Sequence, residues 1–166
     1  MPYNSFAIAN YFIELATSRG KALTPMKLQK LVYFAHGWHL AIKNSPLIDE
    51  QVEAWSYGPV IPSLDRKFRE FGDQSVTEAV GPSRTRAKIE DDPEFNTSTK
   101  PLLDRVWEVY GNHSAIQLSN MTHVPGTPWR SVQDSYNGKP PKGTDIPSDV
   151  IKKYFRDLAR SKATSQ

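Results

Sequence analysis

Between Thr24 and Asn44 the chain carries a helical repeat that is apolar on more than one side. Thr24-Pro25 pairs a capping hydroxyl with proline at the first helical position, where the missing N–H costs nothing. Leu28, Leu31, Val32, Ala35, Trp38 and Ile42 then recur at helical spacing, and Phe34, Leu40 and Ala41 lie off that stripe. A helix apolar around most of its circumference has to be wrapped by neighbours, so the pattern predicts a bundle centred on this segment. Gly37 falls mid-helix at a cost of ~1 kcal/mol relative to Ala. The expected reason is close approach by another backbone, such as that of the first helix. Asn44-Ser45-Pro46 ends the segment.

The wrapping elements follow from the same rules. Ser5 is expected to cap a first helix with Ile8, Ala9, Phe12, Ile13, Leu15 and Ala16 facing inward and Asn10, Glu14 and Thr17 opposite. Leu47-Ile48 and Val52 to Trp55 read as short extended pieces, placing a small β-ribbon near residues 47–56. Tyr57-Gly58-Pro59 reads as a turn, and Ile61, Leu64, Phe68 and Phe71 support a third helix ending at Gly72. Residues 73–98 carry little periodicity and a mixed-charge run from Arg84 to Glu94, and read as a loop or insertion. Thr99 precedes a fourth helix with Leu102, Leu103, Val106, Trp107 and Tyr110 on one face. Ser114-Ala115-Ile116-Gln117 has the spacing of a capping box and opens a fifth, short helix through about His123. Val124 to Trp129 breaks it. After the connector Asn137-Gly138-Lys139-Pro140-Pro141, Ser148 begins a last helix with Val150, Ile151, Tyr154, Phe155 and Leu158 on one face and Lys152, Lys153, Arg156 and Arg160 on the other. The expected fold is mainly α: a single compact domain of about six helices with the small ribbon. Its body spans 1–136, and a connector and basic helix, 137–166, pack on the same domain.

Composition narrows the chemistry. The 166 residues include no cysteine, which excludes disulfides, thiol nucleophiles and cysteine-based zinc or iron–sulfur sites. Seven Phe, seven Tyr and four Trp supply the bulk for an aromatic core. The formal net charge is +3, but residues 137–166 hold seven basic and three acidic side chains, so the body makes no electrostatic case for nucleic acid. No apolar run approaches the ~18 residues of a membrane span. Met1-Pro2-Tyr3-Asn4-Ser5 lacks the basic start and apolar stretch of a signal peptide, so a cytoplasmic protein is expected.

Few residues offer catalysis. His36 and His39 stand three apart on the central helix, a spacing that can turn two imidazoles toward one metal. His39 lies within the apolar stripe, where a hydrogen bond from its ring to a backbone carbonyl is the better reading. His113, Ser114 and His123 with Asp104 or Asp134 could be assembled into a hydrolase, but Ser114 is explained as a cap and no strand–nucleophile–helix elbow is present. No phosphate-binding loop or dinucleotide fingerprint occurs. The first two helices suggest a helix-turn-helix, yet a recognition helix must present polar and basic side chains, and the second helix does not. The turns Trp55 to Val60 and Thr122 to Trp129 combine aromatics with Gly and Pro. They either seal the core or frame a rigid surface of the kind that protein interfaces use as hot spots.

The run Leu23-Thr24-Pro25-Met26-Lys27-Leu28-Gln29-Lys30-Leu31-Val32-Tyr33-Phe34-Ala35-His36-Gly37-Trp38-His39-Leu40-Ala41 resembles the signature helix of the Panacea domain, found in SocA-like and GepA-like proteins of bacterial and prophage genomes. Pro46-Leu47, Glu53 to Leu64, Phe68, Phe71 and Gly72 continue the likeness, as do Val106-Trp107, Tyr110-Gly111, Ser114-Ala115, Leu118-Ser119, Thr122-His123 and Gly126 to Trp129. It covers roughly residues 5–135. The resemblance implies a mostly helical antitoxin, not an enzyme and without a cofactor, that binds and blocks a protein toxin encoded by an adjacent gene. One branch of the family implies instead a proteolytic adaptor delivering its toxin to a Clp protease. Relatives with an added DNA-binding domain imply a regulator, a reading for which this chain shows no extra domain. Lys27 and Lys30, placed on the exposed side of the central helix, and Tyr57, Pro59, His123 and Trp129 near the turns are the expected toxin contacts.

Overall fold

In the computed structural model, which describes residues 2–80, 89 and 91–164, the apolar helix expected at the centre runs from Pro25 to Lys43. In chain order the described residues form α1 (Ser5–Ser18), α2 (Pro25–Lys43), β1 (Glu53–Trp55), β2 (Gly58–Val60), α3 (Pro62–Phe68), α4 (Lys100–Tyr110), α5 (Ala115–His123), α6 (Pro128–Ser135) and α7 (Ser148–Thr164). A 3₁₀ turn, Arg69–Phe71, extends α3, and a π-helical turn, Phe95–Thr99, leads into α4. Among the described residues no helix is long and apolar enough to cross a membrane.

The Thr24 hydroxyl accepts from the Lys27 N–H at the start of α2, and Asn44 closes its end in the left-handed region at φ 57°. The helix packs against α1, α3, α4, α5, α7 and β2, so nearly every side chain from Leu28 to Leu40 is buried. Phe12, Leu31, Leu103, Leu118 and Phe155 bring the surrounding helices into one fully buried core. Gly37 does lie at a close approach, but to a ring and not to a backbone. A Cβ there would sit 2.1 Å from Phe155 Cε2, so the glycine is a socket for the aromatic side chain of α7. Ile42, expected inside, is 63% exposed.

Several local expectations shift by physical necessity. Asn4, not Ser5, caps α1 by accepting from the Phe6 N–H, which leaves the buried Ser5 hydroxyl to donate to Glu50 at 2.6 Å. Asn10, expected on the outer face, is buried and clamps Val80 through both its amide atoms, at 2.8 and 2.7 Å. The ribbon lies at 53–60 instead of 47–56, with Glu53 opposite Val60 and Trp55 opposite Gly58. Leu47-Ile48 pairs with Tyr3 instead, and Thr144 and Ile146 run along the outer edge of β1. The centre of the expected 73–98 loop, 81–88 and 90, lies outside the described residues. Its end is already helical from Pro93.

Helix α6 is the element that the sequence reading passes over, and it makes the helices seven among the described residues. Its start repeats the logic of α2: Thr127 accepts from the Arg130 N–H and Pro128 occupies the first position. On the far side, the basic face of α7 grips the end of α2. Arg156 Nε donates to the Ala41 carbonyl at 3.2 Å, and Lys152 and Arg156 both reach Asn44 Oδ1. Arg156 thereby satisfies a carbonyl of the last turn of α2, and both cations sit at the negative end of the α2 dipole.

Candidate partner-binding groove at the ribbon

Five of the six expected contact residues gather around the ribbon, and what gathers them is polar fastening to α2 and α6. Gln29 holds Ile61 from both sides, accepting from its N–H and donating to its carbonyl, each at 3.0 Å. One turn position on, Lys30 Nζ donates to the Pro59 carbonyl at 3.1 Å. Gly58 closes the ribbon at φ +118°, a conformation that a side chain resists, and a Cβ there would meet Lys30 Nζ at 2.9 Å and His123 Cε1 at 3.2 Å. From the other side, Trp129 Nε1 donates to the Trp55 carbonyl at 2.6 Å, and its ring lies 4.2 Å from that of His123. The His123 Nδ1–H in turn donates to the Ser119 carbonyl at 2.5 Å. The result is a short hairpin locked at its base with its tip in solvent.

This geometry sorts the expected contacts. Tyr57, at the tip, is 78% exposed. Pro59 and Trp129 are buried and His123 half-buried, so they set the shape of the ribbon and not its outer surface. Lys30, expected on an exposed side, is 3% exposed. The reason is that β2 and the Thr122–His123 end of α5 close over that face of α2. Lys27 turns elsewhere, donating to the Gly111 carbonyl at 2.6 Å beyond the end of α4, with its ammonium 5.8 Å from the Trp107 ring centre.

Between the start of α2, the ribbon and α3 runs an open groove of about 360 Å³, walled by Met26, Gln29, Lys30, Trp55, Tyr57 and Phe68. Its lining is mainly apolar, and Met26, at 46% exposed, stands on its rim beside Tyr57. Asp65 and Arg69 close its α3 side as an ion pair at 3.0 Å. Sequence reasoning passed over Met26 and Phe68 as groove residues. Met26 carried a signal, an apolar side chain in the first turn of α2 that falls off the inward stripe.

The electrostatics centre on Lys30. Burial pulls its ammonium down to about 8 from an ordinary 10.5, and no charged neighbour opposes the shift. His36 is pushed down to about 4, first by burial and then by His39. Both histidines serve the turn after α2: the Leu47 N–H donates to His36 Nδ1 at 3.3 Å, and His39 Nδ1–H donates to the Ser45 carbonyl at 2.6 Å. Among the described residues no group of three or more His, Asp or Glu side chains gathers as a metal site. Ser114 is occupied as the cap of α5 in a complete capping box with Gln117. What the ribbon face offers is a fastened hairpin beside an open, mainly apolar groove.

Residues 28–130 match the model of the antitoxin SocA-like, Panacea domain family. Over 152 residues the chain is 30% identical to the protein named Antitoxin SocA of Caulobacter vibrioides (strain NA1000 / CB15N), a likeness spanning 90% of this chain and 81% of that protein. No solved structure matches the chain.

Proposed function

Because the chain belongs to the SocA-like Panacea antitoxin family, we propose that it neutralises a toxin, encoded by a neighbouring gene, by binding it directly. The observation that carries this reading is the ribbon face. A hairpin tied down by Gln29, Lys30 and Trp129 presents Tyr57 and Met26 beside an open apolar groove. Rigid aromatic and Met side chains next to a pocket are what a protein partner can bury at low entropic cost. Direct blocking needs no reaction at this chain, only occupancy of the toxin.

Growth rescue tests the proposal. Induced alone, the neighbouring gene should arrest growth; induced together with this chain, it should not, with the toxin present at an unchanged level and co-purifying with the antitoxin. A harmless neighbour, or arrest that persists, removes the reading. Rescue accompanied by disappearance of the toxin, and only when a Clp protease is present, would instead identify a proteolytic adaptor.

A further inference from the structure

A second open groove, of about 400 Å³, lies between β1, α6 and the connector that follows α6. Trp55 and Ser56 line it from the ribbon, Gln133 from α6, and Lys139, Pro140 and Lys142 from the connector. The connector is fixed at both ends. Gly138, at φ +84°, donates its N–H to the Gln133 carbonyl at 2.7 Å, and the Thr144 carbonyl accepts from the Ala54 N–H at 2.8 Å. Pro140 and Pro141 stiffen the stretch between, so Lys139 and Lys142 stand on a preformed loop. Both lysines are exposed, and among the described residues neither is in an ion pair. Other cations of the basic 137–166 segment are engaged: Lys152 and Arg156 hold the end of α2, and Lys153 pairs with Asp157 at 2.6 Å. Of the acids on the surrounding elements, Asp134 pairs with Arg130 at 3.1 Å, Glu53 accepts from the Trp55 indole at 2.9 Å, and Asp145 does not line the groove. Gln133 adds an independent sign. It is 7% exposed, and its Nε2 has no hydrogen-bond partner among the described residues. A buried donor left unmet destabilises the fold, and this one belongs to the buried polar side chain that lines the groove. Turning the amide about its last bond, a broad torsion, brings Nε2 toward the groove and gives up none of its hydrogen bonds.

We propose that this groove takes an acidic segment of the bound toxin, whose Asp or Glu carboxylate is held by the exposed Lys139 and Lys142 ammoniums and accepts from Gln133 Nε2. The occupant follows from charge complementarity: the lining includes two cations and an unmet amide donor, and no acid. Extent favours a protein segment over nucleic acid. Two lysines match one carboxylate, whereas a phosphate backbone calls for a broad basic surface. Trp55 lines both this groove and the apolar one beside Met26 and Tyr57, so a single chain draped over the hairpin would meet both. The proposal rests on the antitoxin reading for the identity of the partner and not for the chemistry of the site.

The test uses the full chain to pan a phage-displayed library of random peptides. Binding of the strongest peptide, resynthesised with a fluorescent label, is then measured by anisotropy beside a labelled oligothymidylate. Enriched peptides should carry an Asp or Glu. Replacing that residue by its amide should weaken binding at least about tenfold, the scale of a hydrogen bond to a charged group. Lys139→Gln and Lys142→Gln together should cause the same loss at an unchanged thermal midpoint, with no further loss for the amide peptide. Gln133→Leu removes the unmet donor and keeps the bulk, so it should raise the thermal midpoint while weakening the acidic peptide; should that variant fail to fold, the lysine pair decides. A raised midpoint with unchanged binding would overturn the proposal. So would failure to enrich peptides, enrichment without an acidic residue, equal binding of acid and amide, or an oligothymidylate bound more tightly than the peptide. Growth rescue scored on the same variants separates the two readings. Wild-type rescue that the double lysine variant leaves intact sinks the groove and spares the antitoxin; acidic-peptide binding that depends on the lysines, without wild-type rescue, does the reverse.

Discussion

Two buried bases, His36 and Lys30, give the protein a readable pH profile. Unfolded, His36 takes up a proton near pH 6.5; folded, it refuses one until about 4 because it is buried and accepts from the Leu47 N–H. In that window the unfolded chain binds more protons, so stability falls as pH drops from 6.5 to about 4, by roughly 3 kcal/mol over the full range. His39, also shifted down by burial, adds in the same direction. Lys30 obeys the same sign at the alkaline end: stability should rise from about pH 8 toward 10, above which unfolded tyrosines ionise and the buried Tyr33 does not. Urea unfolding across pH 4 to 10 measures both limbs. His36→Gln, whose amide oxygen can still accept from Leu47, should flatten the acid limb, and Lys30→Met the alkaline one; slopes unchanged in the variants would refute the assignment. The burial of Lys30 is not legible in the sequence, since periodicity places a residue on a helix face without saying which distant segment closes over it. For His39 the reading succeeded, because a ring within an apolar stripe must find a nearby backbone acceptor, and the Ser45 carbonyl lies just past the end of its own helix.

At the scale of elements, local signals and packing compete most openly at Gly37. Helix propensity alone would make Gly37→Ala stabilising by ~1 kcal/mol. The methyl group would collide with the Phe155 ring, where the nearest ring atom lies 2.1 Å from an ideal Cβ, and overpacking of this kind costs about 1–3 kcal/mol. Gly37→Ala should therefore lower the thermal midpoint, whereas Gly37→Ala combined with Phe155→Leu should recover part of the loss; a raised midpoint in the single variant would show that the socket is not filled. Boundaries written in a few adjacent residues read correctly: Thr24-Pro25, Asn44, Gly72 and the Ser114–Gln117 box. Helix α6 escapes the sequence reading although Thr127-Pro128 repeats the Thr24-Pro25 signal, because the preceding Pro125-Gly126 reads as a break and eight residues leave little room for periodicity. The sequence places the ribbon too early because Leu47-Ile48 is as extended in character as β1. Only its partner, Tyr3, distinguishes it.

For the whole molecule, the decisive joint is between α2 and α7. Phe155 is fully buried against Tyr33, Phe34 and Trp38, while Arg156 and Lys152 hold the Ala41 and Asn44 end of α2. Phe155→Ala should cost about 3–5 kcal/mol in urea unfolding, as an aromatic lost from a core does. Arg156→Ala should cost about 1 kcal/mol or less, the scale of a half-exposed helix cap. Equal effects would mean that α7 is held by charge and not by its ring. The basic excess of residues 137–166, which invites a reading as a surface for acidic partners, is thus partly spent inside the protein. Lys30, a buried cation that donates to the Pro59 carbonyl, lies far along the chain from that excess.

The sequence by itself determined that the chain is helical, where most helices begin and end, that α2 is central, and the family to which it belongs, because caps, turns and helical period are interactions among residues a few positions apart. Only the tertiary structure decided that Lys30 is buried beneath Gly58, that Gly37 receives Phe155 and that Met26 and Tyr57 border one groove. Each of those facts joins segments distant in the chain, and no local pattern encodes which face covers which.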